Sequence, residues 1–214
     1  MTFSQKFILT TGRPLLNILF RWKTVGTENV PQTGRLVLVA NHVHVLDPVL
    51  LQFGCPRWIS FMAKEELFRS HLLGFWIRWA GAFPIRRRGG ISEKQKILDS
   101  ARARLEAGEV LGVFPEGHRN RDGKLRRSKP GPAVIASRTD TAILPVGIIG
   151  TDKIKGISWL WKRPGIVIRI GKPFRLPPVN DRLSRSQMQS LSDQLMEEIA
   201  ALLPREYRGD YDKP

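Results

Sequence analysis

A single cysteine, Cys55, stands in a chain of 214 residues, which excludes an internal disulfide and a cysteine-built zinc cage. Its neighbours Gly54 and Pro56 mark a loop, and the thiol reads as structurally incidental. No Gly-x-Ser-x-Gly elbow occurs and Cys55 has no activating neighbour in sequence, so no protein nucleophile announces itself. Long apolar runs are missing as well: none approaches the roughly 18 to 20 residues that a membrane-spanning helix needs. Met1 to Leu9 carry one lysine and no small-residue cleavage pattern before Gly12-Arg13-Pro14, so a cleaved signal peptide is not expected and the site should face the cytoplasm. Repeats, low-complexity tracts and a Pro/Gly-rich linker are absent too, which at this length argues for one domain.

Acidic residues are scarce, 19 against 35 lysines and arginines, for a net charge of +16. Such an excess favours anionic partners: nucleic acid, anionic lipid or a phosphorylated substrate.

Arg35-Leu-Val-Leu-Val-Ala40 is a Val-rich run that predicts a buried strand leading into Asn41-His42. Asp47 followed by Pro48 is a helix-start signal, so Asn41 to Asp47 reads as a strand-to-helix turn. Further strands are predicted at Arg57 to Met62, Phe83 to Arg86, Val110 to Phe114, Ala142 to Ile149 and Gly165 to Ile170, with a short helix starting at Lys64. Ser92 heads a Ser-x-x-Gln capping box, Ile97, Leu98, Ala101 and Leu105 line one helical face, and Gly108 supplies the stop. Met188, Leu191, Leu195, Met196, Ile199, Leu202 and Leu203 recur at helical spacing and predict a core-facing helix. Strands alternating with helices indicate a mainly parallel, partly mixed α/β sheet flanked by helices. In such sheets ligands gather beyond the C-terminal strand ends, where both the His42 turn and the Glu116 turn fall.

His42 and Asp47 are near enough across one turn for the carboxylate to accept from one imidazole nitrogen, fixing the tautomer and leaving the other nitrogen to take a proton. The same spacing also fits Asp47 as a plain N-cap and His42 as a satisfied histidine at a strand end. His44 makes His-x-His with His42 and invites a zinc reading with Asp47 as third ligand, but no distant fourth partner is evident. Attack by a substrate hydroxyl suits a lone His-Asp pair without a protein nucleophile. Three arginines, Arg86 to Arg88, follow an apolar strand beside Gly89 and Gly90 and suit either a phosphate or a solvated basic edge. Gly165 to Lys172 only superficially resembles a phosphate loop, since Pro173 follows the lysine.

Four blocks stand in order: Asn41-His42-x-x-x-x-Asp47, Gly81-x-x-Pro84-Ile85-x-Arg87, Phe114-Pro-Glu-Gly-x-Arg119 and Leu144-Pro145-Val146. Together they resemble the glycerolipid acyltransferases of the 1-acylglycerol-3-phosphate type, over about Val30 to Pro173. The resemblance implies a glycerol-3-phosphate acyltransferase-like fold, His42 as base and Asp47 as its partner. It also implies acceptor binding by Arg87, Glu116, Gly117 and Arg119, with Lys129 and Gly131 in a matching Lys-x-Gly segment. The third block usually reads Phe-Pro-Glu-Gly-Thr-Arg-Ser, whereas His118 and Asn120 stand at the two hydroxyl positions, which bears on acceptor identity.

The implied reaction moves an acyl group from acyl-CoA or acyl-acyl-carrier protein to the sn-2 hydroxyl of lysophosphatidic acid, with no cofactor or metal. Another acceptor, such as glycerol 3-phosphate, another lysophospholipid or a glycolipid, is the alternative. A basic nucleic-acid-binding protein is the competing class, without a recognisable motif to support it. The expected organisation is an amphipathic membrane-associating segment at 1–29, an acyltransferase core at 30–180 and a C-terminal helix and tail at 181–214. Lipid-soluble substrates place a chain without a spanning helix at an anionic membrane surface, on its cytoplasmic face. The candidate contacts are the N-terminal group Phe7 to Phe20 and the segment Leu72 to Phe83 with Trp76 and Trp79, and both also fit core-facing helices.

Overall fold

The computed structural model describes residues 2–70, 74–75, 77–78, 81–86, 90–179 and 183–212. It opens on helix α1 (Phe3–Leu19), started by a capping box: Thr2 Oγ1 accepts from the Gln5 N–H and Gln5 Oε1 from the Thr2 N–H. Strands β1 (Arg21–Val25) and β2 (Leu36–Ala40), helix α2 (Asp47–Gly54), strands β3 (Ile59–Lys64) and β4 (Phe83–Ile85) and helix α3 (Ile91–Glu106) follow. Then come β5 (Val110–Val113), α4 (Gly131–Arg138), β6 (Ala142–Ile149), the one-turn α5 (Trp159–Lys162), β7 (Gly165–Ile170) and α6 (Arg185–Ala201). Two single-turn 3-10 helices, Arg205–Tyr207 and Gly209–Tyr211, trail α6. No helix among the described residues is long and apolar enough to cross a membrane.

The strands form a seven-stranded sheet in the order β1-β7-β6-β2-β5-β3-β4. Every neighbouring pair is parallel except β6 and β7, which run antiparallel, so the sheet is mainly parallel and locally mixed, as expected. Strands β2 and β5 are buried on both faces, which is why they read as continuous apolar runs with no alternation. Alternate residues serve opposite layers. Val37 and Val39 face α3, α4 and α6, through Ala101, Leu105, Ile135, Leu195, Met196 and Ile199. Leu36 and Leu38 face α1 and α2, through Leu16, Leu50 and Leu51. Each such fully buried Leu or Ile contributes about 1.5–3 kcal/mol, so the two layers clamp the central strands that carry the site.

Several expectations shift. Gly90, extended at φ −72° and ψ −162°, takes the N-cap position of α3 without a side-chain cap bond. Ser92 therefore falls inside the first turn, the predicted Ser92 capping box does not form, and the Gln95 amide bonds Asp99 instead at 2.8 Å. Lys64 caps a 3-10 turn, Glu65–Phe68, instead of starting an α-helix. Residues 21–25, which fall within the 1–29 segment, are strand β1, paired in parallel with β7. Helix α6 packs its Leu191, Leu195, Met196 and Ile199 into the core beside β6. Cys55 is buried and free, its thiol pKa pushed up by that burial.

Candidate active site

Strand β2 ends at Ala40, and Asn41 extends its pairing with β6 by a side chain. Asn41 Nδ2 donates to the Ile148 carbonyl at 2.9 Å, and the Ile148 N–H donates to Asn41 Oδ1 at 2.7 Å. The amide stands in for one more peptide unit, so the backbone can leave the sheet at His42 without orphaning β6.

From the next turn Asp47, fully buried at N1 of α2, reaches back. Its Oδ2 accepts from His42 Nδ1 at 2.9 Å and from the Val43 and His44 N–H groups at 2.7 Å each. The two backbone donors fix the carboxylate, and the carboxylate fixes the ring. Of the two readings open in the sequence the positioned pair is the one formed, since Asp47 makes no capping bond to its own helix. Nε2 of His42 has no hydrogen-bond partner among the described residues, and 17% of the side chain is exposed. The ring stacks on Phe114 with centroids 4.1 Å apart, and Phe114 on Phe61 at 5.9 Å. Phe114 thus fixes the imidazole plane from the face, with the ring's negative face turned to any charge that develops there.

Because β5 neighbours β2, the Phe114-Pro-Glu-Gly-His-Arg turn leaves the sheet beside the histidine. Gly117 adopts φ +75°, which favours glycine, and its N–H closes the turn on the Phe114 carbonyl at 3.1 Å. The resemblance gives Glu116 a place on the acceptor; in the structure its carboxylate is turned into the protein. The residue is 1% exposed and both carboxylate oxygens are engaged within the protein. Oε1 accepts from the His42 N–H at 2.9 Å, while Oε2 accepts from the Arg126 N–H at 3.0 Å and from the Asn120 amide. Asn120 also donates its own N–H to the His42 carbonyl at 2.8 Å. Both backbone groups of His42 are therefore held by the 116–120 turn. Burial raises the Glu116 pKa to about 7; the His42, Arg126 and Asn120 donors pull it down, and the charge of Asp47 pushes it up.

The outer half of this turn faces away from the protein: His118 and Arg119 are exposed, as is Lys129, whose N–H bonds the Pro115 carbonyl at 2.9 Å. His44 accepts from the Leu46 N–H at Nδ1, 3.3 Å. Its pKa is lowered chiefly by burial and further by Arg119 and His42, against the raising charge of Asp47. No group of three His, Cys, Asp or Glu side chains among the described residues is arranged to hold a metal.

A sequence profile of the acyltransferase family matches residues 21–149, from β1 through β6 and across both turns. The chain belongs to this family. It is 33% identical to the 1-acyl-sn-glycerol-3-phosphate acyltransferase of Borreliella burgdorferi, over 59% of this chain and 50% of that protein. It is 27% identical to the protein of the same description from Bacillus subtilis, over 92% of this chain and 96% of that one. The chain thus spans half of the first relative and nearly all of the second. Its fold is shared with the crystal structure of the 1-acyl-sn-glycerophosphate acyltransferase PlsC from Thermotoga maritima, at a TM-score of 0.69 and 24% identity, covering 92% of this chain and 78% of that one.

The structure brings together His42, Asp47, Glu116, Gly117 and Arg119. Arg87, together with Trp76 and Trp79, lies outside the described residues. Asn41, Phe114 and Arg126 had no assigned role, and Asn120 had been marked only for its bearing on acceptor identity. Asn41 and Phe114 carried a local signal as residues bordering the two turns, and Arg126 carried none.

Proposed function

We propose that this acyltransferase moves an acyl group from acyl-CoA or acyl-acyl-carrier protein to the sn-2 hydroxyl of lysophosphatidic acid, forming phosphatidic acid. The observation that carries the reading is the 2.9 Å contact between His42 Nδ1 and Asp47 Oδ2, which leaves Nε2 as the base. The activities named for the Borreliella and Bacillus relatives support the choice of acceptor.

Nε2 takes the hydroxyl proton as the oxygen attacks the thioester carbonyl. The new C–O bond forms, the C–S bond breaks, and the departing thiolate is reprotonated by the imidazolium. Asp47 stabilises that imidazolium and holds its tautomer, a contribution of about 10² to 10⁴ in rate for a positioned base. Arg87, Gly117, Arg119 and Lys129 bind the acceptor phosphate, with arginine forks suited to its geometry. His42→Ala tests the reading: with lysophosphatidate and an acyl thioester, wild-type turnover in this variant would refute it. A panel with glycerol 3-phosphate, other lysophospholipids and a glycolipid ranks the acceptors, pertinent because the exposed residue 118 is histidine in place of threonine.

The same reading places the enzyme on an anionic membrane surface. Helix α1 turns Leu9 and Leu16 inward and leaves Phe3, Phe7 and Ile18 exposed. Near its C-terminal end, where Phe20 stacks on Trp159 at 5.1 Å, the turn and short helix around Trp159 expose Ile157 and Trp161. Lys155, Lys162 and Arg163 are exposed beside them. Apolar tips among cations, with a tryptophan, suit the headgroup layer, where each cation adds about 1 kcal/mol.

A further inference from the structure

Beyond Glu116, a chain of hydrogen bonds runs to a part of the molecule that neither the motifs nor the reaction involves. The Arg126 N–H that donates to Glu116 belongs to a stretch outside every strand and helix. What holds it is the segment after α6. The Leu125 N–H donates to the Tyr207 carbonyl at 2.8 Å, and the Leu125 carbonyl accepts from the Asp210 N–H at 3.0 Å. The Arg127 N–H donates to Asp210 Oδ2 at 3.2 Å. Residues 125 and 127 are thus pinned on either side of Arg126. The contact is close: a Cβ on Gly209, whose φ is +49°, would lie 2.2 Å from the Leu125 carbonyl oxygen.

The segment is itself anchored at two points. Tyr207 donates its hydroxyl to Asp152 Oδ1 at 2.6 Å, just beyond β6, and Tyr211 donates to Asp193 Oδ1 on α6 at 2.9 Å. Both rings are buried in the same apolar layer as Leu125. Burial, together with the accepting aspartate in each case, pushes both phenol pKa values up, so neither anchor ionises near neutrality. The anchors therefore reach the rigid sheet and its covering helix, and the pinned stretch reaches the catalytic turn.

We propose that residues Arg205–Tyr211 are a positioning element for the catalytic histidine: they hold Leu125–Arg127, Arg126 holds Glu116, and Glu116 holds the backbone of His42. Apart from His42 itself, none of these residues is assigned a substrate contact. Their effect is on the aim of Nε2, to which rates are steeply sensitive; a misplacement of about 1 Å costs up to about 10²-fold. The proposal rests on His42 acting as the base.

The test uses the full chain and three variants. Gly209→Ala drives the segment off Leu125, the double variant Tyr207→Phe/Tyr211→Phe releases its anchors, and Ile166→Val loosens the opposite core layer as a control for lost stability. Expected for the first two is a fall in kcat of about tenfold or more, with KM for donor and acceptor within about twofold. Amide hydrogen exchange should quicken at Arg126 and His42. The control keeps wild-type kcat and protection at those amides. Wild-type kcat in the tyrosine double variant, a loss confined to KM, or unchanged exchange at His42 would overturn the proposal. Should Gly209→Ala fail to fold, the tyrosine variant decides. A wild-type enzyme with no turnover would instead remove the functional reading, leaving the exchange result to judge the mechanical link alone.

Discussion

Asn41 and Ile148 exchange two hydrogen bonds, at 2.9 and 2.7 Å, in which a side-chain amide takes the part of a peptide group. The arrangement lets β2 end at Ala40, one residue before the Asn41-His42 pair, while both backbone groups of Ile148 on β6 stay paired. Asn41→Ala leaves both Ile148 groups buried and unsatisfied, a loss of about 2–5 kcal/mol by urea denaturation. Asn41→Asp should be no rescue, because a carboxylate cannot donate to the Ile148 carbonyl.

Asp47→Asn keeps the size of the side chain and one acceptor but removes the charge that stabilises the imidazolium. The expected result is a fall in kcat of about 10² to 10⁴ with KM little changed. Steady-state kinetics with near-wild-type melting would separate this from unfolding. A variant of wild-type kcat would show that the aspartate serves only the turn.

Glu116 has a folded-state pKa of about 7 against an ordinary 4.5, caused first by burial. The folded protein therefore holds this proton over a pH range where the unfolded chain has lost it. The resulting stabilisation is complete below pH 4.5 and is lost as pH rises through about 7, a change on the order of 3 kcal/mol. Urea midpoints between pH 4.5 and 8 should show that decline in the wild type. Glu116→Gln should flatten it and, by setting amide hydrogens against the Arg126 and Asn120 donors, lower kcat as well.

Phe7→Glu/Ile18→Glu and Trp161→Glu should weaken sedimentation with anionic vesicles about tenfold or more each, on the scale of burying one large apolar side chain. Activity on detergent-dispersed lysophosphatidate should stay near wild type, and raised salt should loosen the unmodified enzyme from vesicles. Equal vesicle binding by all the variants would remove these tips from the membrane contact.

What was legible in the sequence was what is local. The His42–Asp47 pair is closed by one turn, and the layered sheet follows from apolar runs too continuous to sit at a surface. The direction of Glu116 was not legible. A carboxylate followed by glycine and arginine after a strand suits a substrate or a brace equally, and only the adjacency of β2 and β5 decides it. Asn120, at a position usually held by serine, turns inward to Glu116 and has no exposed place from which to read an acceptor. Ser92 and Gln95 matched a capping pattern that Gly90 pre-empted two residues earlier, while the boxes that do form, at Thr2 and Ser184, stood where no helix start had been marked.

The turn after β5 alternates in what it faces: Glu116 and Asn120 look into the protein, His118 and Arg119 look out. Positions 118 and 119 make none of the bonds that hold the His42 backbone, so their exchange is expected to leave the imidazole in place. On the proposed function, single substitutions on that outer rim should shift acceptor preference, whereas a change at 116 or 120 should lower the rate with every acceptor alike.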